Sequence, residues 1–129
     1  MPLEPRIVQT PNAPAAIGPY SQAISSRGLV YVSGQIGIDP HSGAIPENFT
    51  AQTKQALANL RAILEAAGSG LGYVISVDVY LTDMARFSQF NELYAAAFQG
   101  HRPARAVVGV HALPREAQVE VRCVATLAG

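Results

Sequence analysis

The chain has 129 residues, is 49% hydrophobic and only 14% charged, and carries zero formal net charge with Lys54 as its sole lysine. That length bounds one domain with a single core, and the charge balance argues against the basic footprint of a nucleic-acid binder. Cys123 is the one cysteine, which excludes an internal disulfide and a cysteine metal cluster.

Soluble domains carry roughly 25% charged residues. The lower fraction here implies that part of the surface is buried against other copies of the chain. The N-terminus lacks a charged start followed by an apolar run, and no stretch approaches the ~18 apolar residues needed to span a membrane. A cytoplasmic protein without a cofactor is the expectation.

Residues 1–16 hold several prolines and little periodicity, and read as an extended arm of a single domain spanning 1–129. Residues 21–24 and 29–35 read as a hairpin, with Gly28 as the turn residue. Residues 36–39 continue extended, and 39–43 form a turn. The three- and four-residue spacing of Phe49, Ala56, Leu57, Leu60, Ile63, Leu64 and Ala67 predicts a helix over 49–67, capped by Asn48 and stopped by Gly68. Residues 73–82 alternate, which predicts a strand with Ile75, Val77, Val79 and Leu81 on one face. Asp83 caps a second helix over 84–98, with the stripe Phe87, Phe90, Tyr94, Phe98. Residues 105–111 and 118–127 then read as two half-buried strands, and their short link suggests an antiparallel hairpin. The order predicts an α+β layer: one mixed sheet with both helices on the same face, and a second face covered by another subunit.

Arg105 and Glu120 stand out because each interrupts an apolar strand, where a charge is costly unless paired, hydrogen-bonded or used. If opposed residues of the hairpin sum to an odd number such as 229, Arg105, Val107, Glu120 and Arg122 share one face. The first and third would then lie about 13 Å apart at the backbone, from about 3.3 Å per residue, leaving room for a small anion and a water. A structural salt bridge, or two solvent-facing charges, is the competing reading. Asn91 lies on the aromatic stripe of the second helix and reads as a tie to a nearby loop backbone. Tyr20 follows a rigid Gly-Pro turn and reads equally as a surface tyrosine. Gly34 inside a strand suggests a bulge or a close approach, while Ser33 lacks the surroundings of a hydrolase nucleophile. His41, His101 and His111 show no metal-ligand spacing and read as solvated. Cys123, alternating with Val121 and Ala125, reads as a small buried hydrophobe.

Ile17-Gly-Pro-Tyr-Ser-Gln-Ala23, Val32-Ser-Gly-Gln-Ile36, Gln52 through Gly68, Phe90-Asn-Glu-Leu-Tyr94, Pro103-Ala-Arg105 and Val119-Glu-Val121 occur in this order. Together they resemble the RidA/YjgF family of reactive-intermediate deaminases over nearly the whole chain. The resemblance implies a chorismate-mutase-like α+β fold and a homotrimer with ligand clefts between subunits. It implies cofactor-free hydrolysis of 2-imino acids, chiefly 2-iminobutanoate and 2-iminopropanoate, to 2-oxo acids and ammonia. By the same resemblance Arg105 holds the substrate carboxylate and Glu120 activates water. Tyr20, Ser33, Gly34, Asn91 and Val107 line the substrate. Val107 stands where the family often has cysteine, Arg102 where an apolar residue is common, and Arg122 adds positive charge. These departures bear on substrate preference. Two other readings compete: a non-enzymatic trimer that binds 2-oxo acids or shields unfolded proteins, and the ribonuclease activity attributed to some relatives.

Overall fold

The computed structural model describes residues 5–128. Six strands, β1 (Arg6–Val8), β2 (Ala23–Ser26), β3 (Leu29–Gln35), β4 (Val74–Leu81), β5 (Ala104–Gly109) and β6 (Val119–Thr126), form one mixed sheet in the order β1-β2-β3-β6-β4-β5. Helices α1 (Phe49–Ala66) and α2 (Phe87–Phe98) connect β3 to β4 and β4 to β5. The α+β layer expected from the sequence is the fold observed.

Local chemistry explains the elements. Arg27 and Gly28 both take positive φ (53° and 82°), the two-residue geometry whose twist suits a hairpin. Asn48 accepts from the Ala51 N–H at 3.0 Å to start α1. At its other end the Ser69 N–H reaches Leu64 O and the Gly68 N–H reaches Glu65 O, with Gly68 at φ +83°. That is a left-handed glycine stop satisfying the last carbonyls. Asp83 accepts from Ala85 N–H and opens a single 3₁₀ turn, so regular α2 begins only at Phe87.

One sheet face is covered. Val30, Val32, Val77, Val79, Leu81, Val119, Val121, Cys123 and Ala125 are buried beneath the apolar sides of the helices: Leu57, Leu60, Ile63 and Leu64 of α1, and Phe90, Tyr94 and Phe98 of α2. The other face is open in the single chain and carries exposed Tyr31, Ile75 and Val108.

The structure refines one expectation and corrects two. First, within the extended arm residues 6–8 form a short edge strand on β2, while residues 1–4 lie outside the described residues. Second, Ile75 does not share a face with Val77. A register shift between Val74 and Ser76 buries Val74 in the core and turns Ile75 outward at 47% exposure. Third, β5 and β6 are not a hairpin. β5 runs parallel to β4, β6 runs antiparallel to β4, and β4 lies between them. The physical reason is burial. Every second residue of β6 from Val119 to Ala125 is at most 1% exposed, so β6 takes a central slot. The weakly buried β5 is left at the edge beside the strand that precedes α2.

Candidate functional site

The sheet topology decides which of the expected site residues can meet. Arg105 pairs across the sheet with Val77, and Val107 with Val79. Both partners point under the helices, so Arg105 and Val107 belong to the helix side of the edge strand. Glu120 pairs with Tyr80 and Arg122 with Asp78, on the open face. The expectation that Arg105, Val107, Glu120 and Arg122 share one face is therefore wrong within a single chain. The strand inserted between β5 and β6 changes the parity on which that reading depended.

The helix-side group is built where the buried stripe of α2 meets the edge strand β5. The Arg105 guanidinium carbon lies 4.7 Å from the centroid of the Tyr94 ring and 6.0 Å from that of Phe87. It makes no salt bridge to any carboxylate among the described residues, where the one such pair is Arg61–Glu65. The structural salt bridge, the chief competitor to a ligand-binding role, is thus not made among the described residues. Asn91 sits on the same stripe, one helical turn from Phe87 and from Tyr94. Its Oδ1 is buried and has no hydrogen-bond partner, so it does not tie down a loop as the sequence suggested. The Tyr94 hydroxyl is likewise buried and unpartnered. Burial pushes the Tyr94 phenol above its ordinary pKa, with the nearby Arg105 charge opposing. Val107 is partly buried and packs against the core.

The open-face group surrounds Glu120. A cleft of about 290 Å³ is lined by Glu120, Gly34, Tyr20, Arg115, Ile17 and Ile38, among others. Gly34 leaves room for the carboxylate: a Cβ at this position would run into the Glu120 side chain. The close approach read from a glycine inside a strand is observed. Loss of solvent pushes the Glu120 carboxyl above its usual range, the direction that suits a proton-transfer group near neutrality. Ser33 is a scaffold: its Oγ donates to Ser21 O at 2.6 Å and holds the Tyr20 segment against β3.

Several positioning residues carried no signal in the sequence. Gln22 is 4% exposed and ties the arm down. Its Oε1 accepts from Thr10 N–H at 2.7 Å, and its Nε2 donates to Thr10 O at 3.1 Å and Pro14 O at 2.8 Å. Asn59 donates to the carbonyls of Ile36 and Ile38, fixing the strip beside Glu120. Gly37 lets that strip touch α1, since a Cβ would meet Gln52 O at 2.4 Å. Arg115 and Glu116 both take φ +56°, a strained pair of left-handed residues at the cleft rim. The Arg115 guanidinium donates to Gly43 O at 3.1 Å.

The histidines and the cysteine stay outside both groups. His101 is less solvated than expected, with Nε2 donating to Val74 O at 2.6 Å. Among the described residues no group of three or more His, Cys, Asp or Glu could hold a metal ion. Cys123 is 1% exposed, and burial pushes its thiol up to about 12. Thiol alkylation of the folded protein is therefore expected to leave activity unchanged. A stoichiometric loss with the fold intact, followed by mass spectrometry, would overturn that.

Comparison with known proteins now fits this geometry. The family model described as Endoribonuclease L-PSP matches residues 10–127. The chain belongs to this family, the RidA/YjgF family. It is 47% identical over 121 residues to a mouse protein named 2-iminobutanoate/2-iminopropanoate deaminase, covering 93% of this chain and 90% of that one. RidA from an Antarctic Psychrobacter superimposes with a TM-score of 0.92 at 43% identity, over 95% of this chain and 99% of that one. Escherichia coli TdcF with bound serine gives a TM-score of 0.92 at 36% identity, over 95% and 99% of the two chains.

Within that family frame, Gly34→Ala separates function from folding. The atom its Cβ would strike is the far end of a flexible glutamate, so the carboxylate moves and the strand survives. Displacement by about 1 Å can cost about a hundredfold in rate. Turnover is expected to fall on that order while the melting temperature shifts little. A large loss of stability with full specific activity would refute it.

Proposed function

We propose that this chain is a hydrolytic deaminase of small 2-imino acids, yielding 2-oxo acids and ammonia, and that it acts in the cytoplasm as a homotrimer. The observation that carries the reading is the Arg105 guanidinium, held on an aromatic shelf with no carboxylate partner among the described residues. A planar fork of this kind matches a substrate carboxylate two-pronged. The deaminase name of the mouse relative and the amino acid bound by TdcF agree with it.

Arg105 and Glu120 lie on opposite sides of the sheet in one chain, so the complete site is proposed to form between two copies. One contributes Arg105, Asn91 and Val107; its neighbour contributes Glu120, Gly34 and Tyr20, with Ser33 holding the Tyr20 segment. The exposed apolar residues of the open face, Tyr31, Ile75 and Val108, would be covered in the same assembly. Light scattering is expected to give three times the 13.6 kDa chain mass at micromolar concentration. A monomer there would remove the site altogether.

The chemistry follows from the groups. Arg105 holds the carboxylate, which places the C=N carbon beside Glu120. Glu120 accepts a proton from water as its oxygen bonds to that carbon, and delivers the same proton to the imine nitrogen. Glu120 then takes the hydroxyl proton of the resulting carbinolamine and passes it to the amine, which leaves as ammonia as the C–N bond breaks and the C=O of the 2-oxo acid forms. Atoms and charge balance: imino acid plus water gives oxo acid plus ammonia. The apolar lining of the cleft, Ile17 and Ile38 among it, suits short aliphatic side chains. The deciding experiment generates 2-imino acids in situ with an amino-acid oxidase or dehydratase and follows ammonia release. Tight 2-oxo acid binding with no acceleration would instead favour a binding protein. The family model's name mentions ribonuclease, but zero net charge and a single lysine argue against strong RNA binding.

A further inference from the structure

We propose that Tyr94 is the positioning residue of this site: its ring face, not a hydrogen bond, aims the Arg105 guanidinium at the substrate carboxylate. The inference rests on the carboxylate-binding role of Arg105 given above.

The geometry is specific. Arg105 stands on an edge strand whose residues are mostly exposed, so packing does not fix its long side chain. No hydrogen bond or salt bridge among the described residues restrains the guanidinium. What it has is the Tyr94 ring at 4.7 Å, with Phe87 further off at 6.0 Å. The Tyr94 ring is itself closely packed. It is 8% exposed, stacked on Phe98 at 4.4 Å and tilted against Phe90 at 5.6 Å. A cation over an aromatic face is attracted by the ring quadrupole, more strongly where water is excluded.

This arrangement leaves the forked N–H edge of the guanidinium free. A carboxylate partner would fix the side chain equally well but would occupy the donors that a substrate needs. A ring restrains it through its flat face and spends no donor. The Tyr94 hydroxyl, buried without a partner, contributes nothing to this hold, which separates the role of the ring from that of the phenol. Without the ring, the binding-competent orientation of Arg105 is only fractionally populated, and apparent affinity falls by that fraction.

The test uses the full-length protein with fluorinated phenylalanines at position 94, which keep the shape of the ring while draining its face of electron density. Pyruvate binding is followed by calorimetry, and ammonia release is measured in parallel. Tyr94→Phe is expected to retain binding within about twofold and to melt no lower than wild type, since it removes only an unpartnered hydroxyl. Successive fluorination is expected to weaken pyruvate binding stepwise, by about three- to thirtyfold in all. The loss should appear in KM rather than kcat, and binding of uncharged pyruvamide should not change across the series. A purely structural ring would not track its own electron density. A flat series in an active, pyruvate-binding wild type overturns the positioning role and leaves the deaminase reading standing. A wild type that neither binds pyruvate nor releases ammonia overturns both.

Discussion

Arg105→Ala is expected to abolish measurable binding of pyruvate and 2-oxobutanoate while leaving the fold and the assembly intact. In the single chain the side chain is exposed, makes no salt bridge among the described residues and touches only the rings of Tyr94 and Phe87, so little of the core depends on it. Enclosed between two copies with a substrate carboxylate it becomes one member of a desolvated charge pair, whose removal costs about 2–5 kcal/mol. At roughly 1.4 kcal/mol per tenfold, kcat/KM falls by about 30-fold to several thousandfold. Arg105→Lys should recover little, because an ammonium cannot reproduce the planar fork and sits less well on the Tyr94 face. Circular dichroism and light scattering establish the fold, and the coupled ammonia assay measures the loss. An Arg105→Ala protein that unfolds, together with a wild type that binds no 2-oxo acid, would make the arginine structural and remove the basis of the deaminase reading.

Arg105 and Glu120 are conspicuous in the sequence and yet stand on opposite faces of the sheet, and both facts have one cause. A lone charge in an apolar alternating segment is visible in a string of residues because its burial cost is local. Which strands become neighbours is a global outcome. The four residues between β5 and the 3₁₀ turn (Pro114–Glu116) before β6 suit a hairpin, yet β6 presents the unbroken apolar face Val119, Val121, Cys123, Ala125, and its burial under α1 outweighs the short connection. Inserting β4 between them reverses which charges share a face. The helices were legible to within a turn because Asn48, Gly68 and Asp83 carry their own stop and start chemistry. Ile75 was misplaced because a bulge adds a residue that alternation cannot anticipate.

The supporting residues were hidden for a different reason. Gln22 and Asn59 look like surface amides in the sequence, and only the fold reveals that each satisfies several loop carbonyls. Asn91 was noticed for its place on an apolar stripe, but the tie to backbone expected of it is not made, and its Oδ1 is left without a partner. Gly34 was legible because a glycine inside a strand signals a close approach whatever the topology. The neighbour it admits, the Glu120 carboxylate, is a consequence of β3 lying beside β6.

Glu120→Gln keeps the shape of the side chain and removes its basicity. If Glu120 moves the protons, turnover falls by about 10²–10⁴-fold, while pyruvate affinity, which depends on Arg105, falls far less. Desolvation raises the Glu120 carboxyl above its ordinary 4.5, and two pH dependences follow. The wild-type rate should decline as pH drops through that raised value, because the base becomes protonated, and the residual rate of the variant should lack this limb. For stability the sign is the reverse of the usual carboxylate case. The folded chain binds this proton more tightly than the unfolded one, so the contribution is fully present below the unfolded value and is lost as pH rises through the folded one. Glu120→Gln has no such loss, and its melting temperature relative to wild type should rise between those two values and then level off. Melting curves across that range, measured alongside the ammonia assay, separate the outcomes. Near-normal turnover in the variant would reduce Glu120 to a wall of the cleft. A variant that is inactive and also less stable at neutral pH would mean that the carboxylate is held by a favourable contact, contrary to the desolvated environment from which its basicity was argued.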